Sequence, residues 1–138
     1  MNKKVWLGFI VVLVLMEIAG YIEHTLLLGS TYESLKGLWR PDYMSLVWMY
    51  QVIMVVGAFF FSFIFSKGYE GKGIAEGIRY GLYIGIWMSV GMAYGTYAMI
   101  AIPYSMALQW FVYGVIFNVI YGIALAMVFG KKQAAPAA

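Results

Sequence analysis

An acidic residue in the middle of an apolar stretch is the first feature of this sequence that could do chemistry. Glu17 stands inside a run that begins at Val5, and Tyr21 and His24 follow it by four and seven residues. In an α-helix the four-residue step lets Glu17 and Tyr21 touch, whereas His24 lies about 10 Å further along the axis. An ionisable group inside a membrane helix is costly and usually serves function, because it can bind a proton or a cation.

The composition indicates what kind of protein holds this carboxylate. Of the 138 residues, 64% are hydrophobic and 11% are charged, and no charged residue occurs from position 80 to position 130. Soluble domains contain about 25% charged residues, so we expect a membrane protein. Four apolar runs are each long enough to cross a bilayer as a helix. They cover about residues 5–28, 44–66, 74–102 and 104–129.

The sequence therefore predicts an all-α, polytopic membrane protein with four transmembrane helices in an antiparallel bundle. Residues 1–130 would form its single domain, and residues 131–138 a flexible cytoplasmic tail. The basic start imitates a signal peptide, but the length of the first run and its Glu17 favour an uncleaved helix.

Lysine and arginine are distributed unequally between the two sides of the predicted bundle. The termini and the loop between the second and third runs share one side, which carries Lys3, Lys4, Lys67, Lys72, Lys131 and Lys132. The other side carries Lys36 and Arg40. By the positive-inside rule both termini are expected in the cytoplasm, with the protein in the bacterial inner membrane. The net charge of +3 then reflects topology, and no nucleic-acid partner is expected.

Each run contributes one polar or phenolic side chain at a similar depth. At 1.5 Å per residue, Glu17 lies about 18 Å, Tyr94 about 21 Å and Tyr113 about 16 Å from the side of the termini. Gln51 in the second run falls at a comparable level. We expect these four residues to bind a proton, a small cation or a lipophilic ligand. Alternatively, a neutral Glu17 ties helices together through hydrogen bonds; Glu23 is expected to be solvated.

Small residues recur every four positions in the last two runs, a spacing that lets helix backbones approach closely. The third run carries Gly73, Gly77, Gly81, Gly85, Ser89 and Ala93, and the fourth carries Gly114, Asn118, Gly122, Ala126 and Gly130. The series predict that the two helices pack on each other, or that they form the interface of a homo-oligomer. Near the start of the third run, Glu76 and Arg79 are spaced to pair with each other.

Several kinds of chemistry find no support in the sequence. One histidine and no cysteine leave too few ligands for a bis-histidine haem or a zinc site. Nucleophile elbows, phosphate-binding loops and metalloprotease motifs are absent from the sequence. We therefore predict no cofactor, no metal, no catalytic residue and a non-enzymatic protein.

Three segments, "LWRPDY", "KGYEGKGIAEGIRYGL" and "IPYSMALQWFVYG", resemble a group of small, uncharacterised four-span proteins of the bacterial inner membrane. The resemblance implies that membrane and the same four-helix layout, and it supplies no active-site residues. The segment "MEIAG" around Glu17 is similar to the first helix of the small multidrug resistance transporters, which are dimeric four-span proton antiporters. That similarity implies that Glu17 binds a proton and a cation alternately.

Two functions of different classes remain open at this point. One is a small oligomeric permease or channel that handles a proton or cation at its buried carboxylate. The other is a non-catalytic interaction or assembly subunit of a membrane complex, which would use the small-residue series as its docking surface. In both, the lipid bilayer is the immediate partner of the chain.

Overall fold

The computed structural model describes residues 2–130, which form helices and short turns and contain no strand. The predicted all-α class is thus confirmed for this part of the chain, and the predicted tail lies outside it. The five α-helices are α1 (Lys3–Tyr21), α2 (Gly29–Ser34), α3 (Val47–Gly68), α4 (Ile74–Met99) and α5 (Tyr104–Phe129). A π-helical turn, Ile22–Leu27, continues α1, and 3-10 turns occupy Lys36–Leu38 and Tyr43–Leu46.

Three segments are long and apolar enough to cross a membrane: Lys3–Leu27, Tyr43–Gly68 and Tyr104–Phe129. Within their apolar stretches only 17% to 22% of the residues are buried inside the protein. Most of their apolar side chains therefore stay at least partly exposed, which is unfavourable in water and favourable in lipid. This distribution indicates a membrane protein.

Helix α4 is long enough to be a fourth span but less hydropathic than the other three. It has 26 residues, and its sequence contains Glu76 and Arg79 in its first two turns. Glycine and tyrosine lower its hydropathy further along. Its crossing of a membrane, and with it the four-span bundle, stays a prediction.

The helices pack in pairs. Helix α1 lies against α3 and α5, and α4 lies chiefly against α5. The ends of α1, α3, α4 and α5 fall at two levels. We call the level of Lys3, Gly68 and Phe129 the terminal end. The opposite level, with residues 22–46 and 100–104, is the cap end.

Aromatic rings and a few hydrogen bonds hold the terminal end together. Phe65 of α3 contacts the rings of Tyr80 and Phe129, at centroid distances of 5.1 and 5.3 Å. The Tyr80 hydroxyl donates to the Phe61 carbonyl at 2.7 Å, which joins α4 to α3. The buried Ser62 hydroxyl donates to the Val5 carbonyl at 2.9 Å and joins α3 to α1. These bonds satisfy hydroxyl groups that would otherwise be buried at a cost.

The small residues of α4 pack directly on those of α5 in antiparallel register. A methyl group built on Gly77 would overlap the Gly122 carbonyl, and one built on Gly81 would overlap the Asn118 carbonyl. The next glycine of α4, Gly85, would place its methyl 3.0 Å from the Asn118 Cβ. The series thus lets two backbones meet without intervening side chains, as expected for small residues every four positions. Further along the pair, Ser89 faces Gly114.

Candidate functional site

The four residues predicted to surround a proton or cation site are not joined to one another. Glu17 is partly exposed and Gln51 is exposed, while Tyr94 and Tyr113 are partly buried. In residues 2–130 no hydrogen bond links any two of these side chains. Tyr94 does not meet Glu17 because its helix, α4, packs chiefly on α5 rather than on α1. Its ring lies instead against the rings of Tyr104 and Phe111, with centroids 6.1 and 5.9 Å away.

The buried carboxylate of the first span is Glu23, not Glu17. Glu23 is 8% exposed, so the expectation that it is solvated is wrong. The residues of α1 that face the bundle are Val5, Gly8, Val12 and Ala19. A helix repeats its face every three or four residues, so Glu23, four after Ala19, continues this buried stripe. Glu17, two residues before Ala19, lies off the stripe.

The π-helical turn keeps the chain in contact with the bundle after Glu23. The Leu28 N–H donates to the Glu23 carbonyl at 2.9 Å, a bond that spans five residues instead of four. The extra residue brings Leu28, which is completely buried, onto the inward face. Such single π turns occur often at functional sites, since they re-aim the side chains that follow.

A short segment, residues 28–39, folds back over the cap end, and we call it the cap. Its apolar residues lie on a cluster at the outer ends of α4 and α5. The buried members of this cluster are Leu28, Ala93, Ile102, Met106, Ala107 and Trp110, and Tyr32, Leu35 and Trp39 of the cap pack against it. The cap therefore buries its apolar side chains against the ends of α4 and α5 that meet at residues 100–104.

Tyr32 connects the cap to the π turn and to α5 through its hydroxyl group. The Trp110 indole N–H donates to the Tyr32 oxygen at 2.7 Å. His24 Nδ1 lies 2.6 Å from the same oxygen, and its ring stacks on the tyrosine ring at a centroid distance of 5.7 Å. The Trp39 indole N–H donates to the Tyr32 carbonyl at 3.3 Å. Tyr32 and Trp110, which are 78 positions apart in the sequence, are thereby held in contact.

The pKa of the Tyr32 hydroxyl reflects its burial and its neighbours. The pKa of Tyr32 is raised to about 12, chiefly by burial; the hydrogen bond from Trp110 lowers it, and the negative charges of Glu23 and Tyr50 contribute to the rise. Within residues 2–130 no hydrogen bond or ion pair to the Glu23 carboxylate is formed.

The other charged side chains of the cap end are paired on the surface. Lys36 lies 3.1 Å from Glu33, and Arg40 lies 3.0 Å from Asp42. The hydrogen bond from Arg40 lowers the pKa of the exposed Asp42 carboxyl. Because each cation is paired with its own acid, neither Lys36 nor Arg40 neutralises Glu23, and no ion pair to Glu23 forms among the described residues.

An acidic residue at the terminal end has a structural role. Glu76 accepts hydrogen bonds from the backbone N–H groups of Glu70, Gly71 and Lys72, the last two at 3.0 and 2.9 Å. Gly71 has a φ of 88°, a left-handed conformation that lets the loop curl around the carboxylate. The predicted pairing of Glu76 with Arg79 is therefore wrong. The backbone supplies the positive dipoles instead.

The polar side chain of Asn118 forms its hydrogen bond within its own helix. The Asn118 amide donates to the Gly114 carbonyl of its own helix at 2.8 Å, so its hydrogen bond does not join two helices.

A groove of about 120 Å³ runs between α1 and α5 below Glu23 and exposes almost only apolar atoms. It is lined by Leu15, Ile18, Ala19, Ile22, Phe117, Ile120 and Tyr121.

Three ionisable side chains, Glu23, His24 and Tyr32, lie in or next to the π-helical turn and the cap. No three histidine or acidic side chains in residues 2–130 are placed to hold a metal ion. Sequence reasoning missed Glu23 because it judged acids by depth in the run. The buried stripe from Val5 to Ala19 was the signal that could have identified it. No known protein family, curated protein or solved structure matches the chain.

Proposed function

We propose that this protein is a small four-span permease or channel-like protein of the bacterial inner membrane that takes up and releases a proton or small cation at a carboxylate of its first span. The observation that carries the proposal is Glu23, 8% exposed and without a hydrogen bond in the described residues. A bare carboxylate is very costly at such a place, so it must hold a proton or attract a cation. Reversible exchange of that partner is the simplest use of such a group.

The distribution of basic residues supports the orientation. Lys3, Lys4, Lys67 and Lys72 lie near the terminal end, and Lys131 and Lys132 follow α5 in the sequence. In the inner membrane this end would face the cytoplasm and the cap the periplasm. Glu23 would then exchange its proton or cation on the periplasmic side, because the groove beneath it is apolar.

The fourth span is supported by the length and packing of α4. Its 26 residues extend about 39 Å, enough for a hydrocarbon core of about 30 Å. Between residue 80 and its end α4 has no charged residue. Its close antiparallel packing on α5, an apolar segment of equal length, supports a common membrane depth for both helices.

The alternative function, an interaction or assembly subunit, is favoured by a different face of α4. Methyl groups built on Gly91 and Gly95 would meet no atom within 4 Å. These glycines stand four residues apart and are exposed, whereas the series from Gly77 to Ser89 is occupied by α5. A second copy of the chain or another membrane subunit could approach α4 closely at this open pair.

The proposed function is tested by comparing Glu23→Gln with Glu17→Gln. Both substitutions remove one ionisable group from the first span and keep its shape. We expect proteoliposomes that contain the parent protein or Glu17→Gln to show a proton flux driven by a potassium diffusion potential. We expect Glu23→Gln to abolish that flux while the protein remains folded. If Glu23→Gln conducts protons like the parent, or the parent shows no flux and no carboxyl titration, the proposal is wrong.

A further inference from the structure

We propose that Arg79 binds the phosphate of an anionic phospholipid whose acyl chains lie along the outward face of α4. The inference rests on the membrane placement of α4, which it shares with the proposed function, and it is independent of proton exchange at Glu23. It gives the terminal end, opposite the cap, a partner of defined chemistry.

Arg79 points away from the helix on which α4 packs. It follows Gly77 by two residues, so its side chain leaves α4 about 200° around the axis from the glycine that meets the Gly122 carbonyl. The next residue, Tyr80, turns about 100° further and donates its hydrogen bond to α3. Arg79 itself is exposed, so the neighbouring helices leave its guanidinium uncovered.

The guanidinium of Arg79 has no acidic partner within residues 2–130. The two acids that precede it in the chain are engaged elsewhere. Glu76 accepts three backbone N–H groups of the loop, and Glu70 forms an ion pair with Lys72. None of the ion pairs among the described residues includes Arg79. Its charge must therefore be compensated from outside the protein.

The depth of Arg79 matches the region of the lipid phosphates. Helix α4 is about 39 Å long, so each end of a centred helix extends about 4–5 Å beyond a hydrocarbon core of about 30 Å. Arg79 stands five residues after Ile74, the first residue of α4, which is about 8 Å along the axis. Its Cα then lies just inside the hydrocarbon boundary. Helical side chains tilt towards the N-terminus, here the terminal end, so the long arginine side chain reaches the headgroups.

The outward face of α4 beyond Arg79 suits acyl chains. Four exposed side chains lie within about 60° of Arg79 around the axis and continue its face towards the cap end: Leu82, Tyr83, Ile86 and Val90. Three of them are aliphatic, and the phenol of Tyr83 stands one turn from Arg79. A single cation followed by an apolar face complements a phospholipid, which carries one phosphate above two acyl chains.

The chemistry of the terminal end favours a lipid of net negative charge. A guanidinium group offers two parallel N–H donors to two phosphate oxygens. In a zwitterionic lipid the ammonium group of the headgroup competes for the same phosphate. The exposed Lys3 and Lys67 at this end add a positive potential that attracts anionic lipids.

The test measures lipid binding by native mass spectrometry of the full chain in detergent. Phosphatidylglycerol and phosphatidylcholine with identical acyl chains are titrated separately, and the dissociation constants of the first bound lipid are compared. We expect the parent protein to bind phosphatidylglycerol about 10- to 100-fold more tightly, the size of a hydrogen bond to a charged group. Arg79→Gln should abolish this preference, and Arg79→Lys should retain part of it, because lysine keeps the charge without the fork. Lys3→Gln, which removes an exposed cation at the same end, is the matched control and should leave the preference nearly unchanged.

Several results would overturn the lipid site. Equal affinities of the parent for the two lipids would do so, as would equal losses in Arg79→Gln and Lys3→Gln, which indicate a non-specific charge effect. Displacement of phosphatidylglycerol by an equal concentration of inorganic phosphate would show an ion site instead. A parent oligomer that Arg79→Gln dissociates without changing lipid binding would show that another copy covers this face. Should Arg79→Gln fail to fold, Arg79→Lys decides, because an affinity equal to that of the parent excludes the guanidinium–phosphate contact.

The lipid site and the proposed function fail separately. Proton exchange is measured by the flux comparison of Glu23→Gln with Glu17→Gln, and neither substitution alters the face of α4 that carries Arg79. Loss of the lipid preference would leave that comparison unchanged, and a parent protein without proton flux would leave the lipid preference unchanged.

Discussion

Replacing Gly81 by alanine should weaken the packing of α4 on α5 more than any comparable change on the open side of α4. A Cβ atom on Gly81 would lie 2.6 Å from the Val119 Cα and 2.8 Å from the Asn118 carbonyl carbon. Both atoms belong to the backbone of α5, so no side-chain rotation can relieve the overlap. The two helices must move apart.

The size of the effect follows from the separation required. Ordinary carbon–carbon contacts lie at about 3.5–4.0 Å, so the helices must separate by roughly 1 Å. A gap of that size removes about a quarter to a half of each dispersion contact, and each contact contributes about 0.1–0.2 kcal/mol. With on the order of 50 atom pairs affected, the loss is about 1–5 kcal/mol. This estimate is comparable with the cost of overpacking a core, about 1–3 kcal/mol.

Equilibrium unfolding in mixed micelles, with increasing fractions of a denaturing detergent, measures this loss. Gly91→Ala is the matched control, because a methyl group there meets no atom within 4 Å. Both variants gain the same helix propensity, about 1 kcal/mol, so the difference between their free energies of unfolding isolates the overlap. Equal free energies of unfolding for Gly81→Ala and Gly91→Ala would refute the packing derived for the two helices.

Three further predictions concern single hydrogen-bonding groups. Tyr80→Phe should lower the free energy of unfolding by about 0.5–1.5 kcal/mol through loss of the bond to the Phe61 carbonyl, while Tyr83→Phe, an exposed position, should have no effect. Equal stabilities of these two variants in the same unfolding assay would contradict the contact. Glu76→Gln should loosen the loop at residues 69–73, since an amide offers one acceptor oxygen to three N–H donors, and hydrogen exchange of those amides should become faster. Unchanged exchange would show that the carboxylate does not order the loop. Because the folded pKa of Tyr32 is raised to about 12, its neutral form stabilises the fold fully below the unfolded pKa near 10. That contribution should disappear as the pH rises towards 12, and the tyrosinate absorbance lost in Tyr32→Phe should titrate in the same window; a titration near 10 would contradict the burial of this hydroxyl.

Local features of the sequence determined the helices and the contact between the last two. Long apolar runs predict helices, because backbone N–H and C=O groups in lipid must form their hydrogen bonds within the segment. The fourth run, 104–129, corresponds to α5, Tyr104–Phe129. The four-residue spacing from Gly77 to Ser89 leads to close packing because small side chains on one helix face admit a partner backbone wherever one is available.

The choice between the two acids of the first span depended on tertiary structure. Position in the run favoured Glu17, since it lies deeper in the apolar stretch. Which acid is buried depends on the direction from which α3 and α5 approach α1, and that direction made Glu23 a continuation of the stripe from Val5 to Ala19. The π turn, which returns Leu28 to the same face, has no distinct sequence pattern.

The hydrogen-bonded centre at the cap also arose only from tertiary structure. Trp110 and Tyr32 are 78 positions apart, and their contact requires the cap to fold back onto the start of α5. Judged by side-chain type alone, Trp110 and Tyr32 are two of many aromatic residues, so the sequence does not identify them as partners. The sequence by itself determined that the protein is helical, strongly apolar and carries two acids in its first span. The tertiary structure decided which acid is buried and which groups surround it, because burial depends on the packing of segments that are distant in the chain.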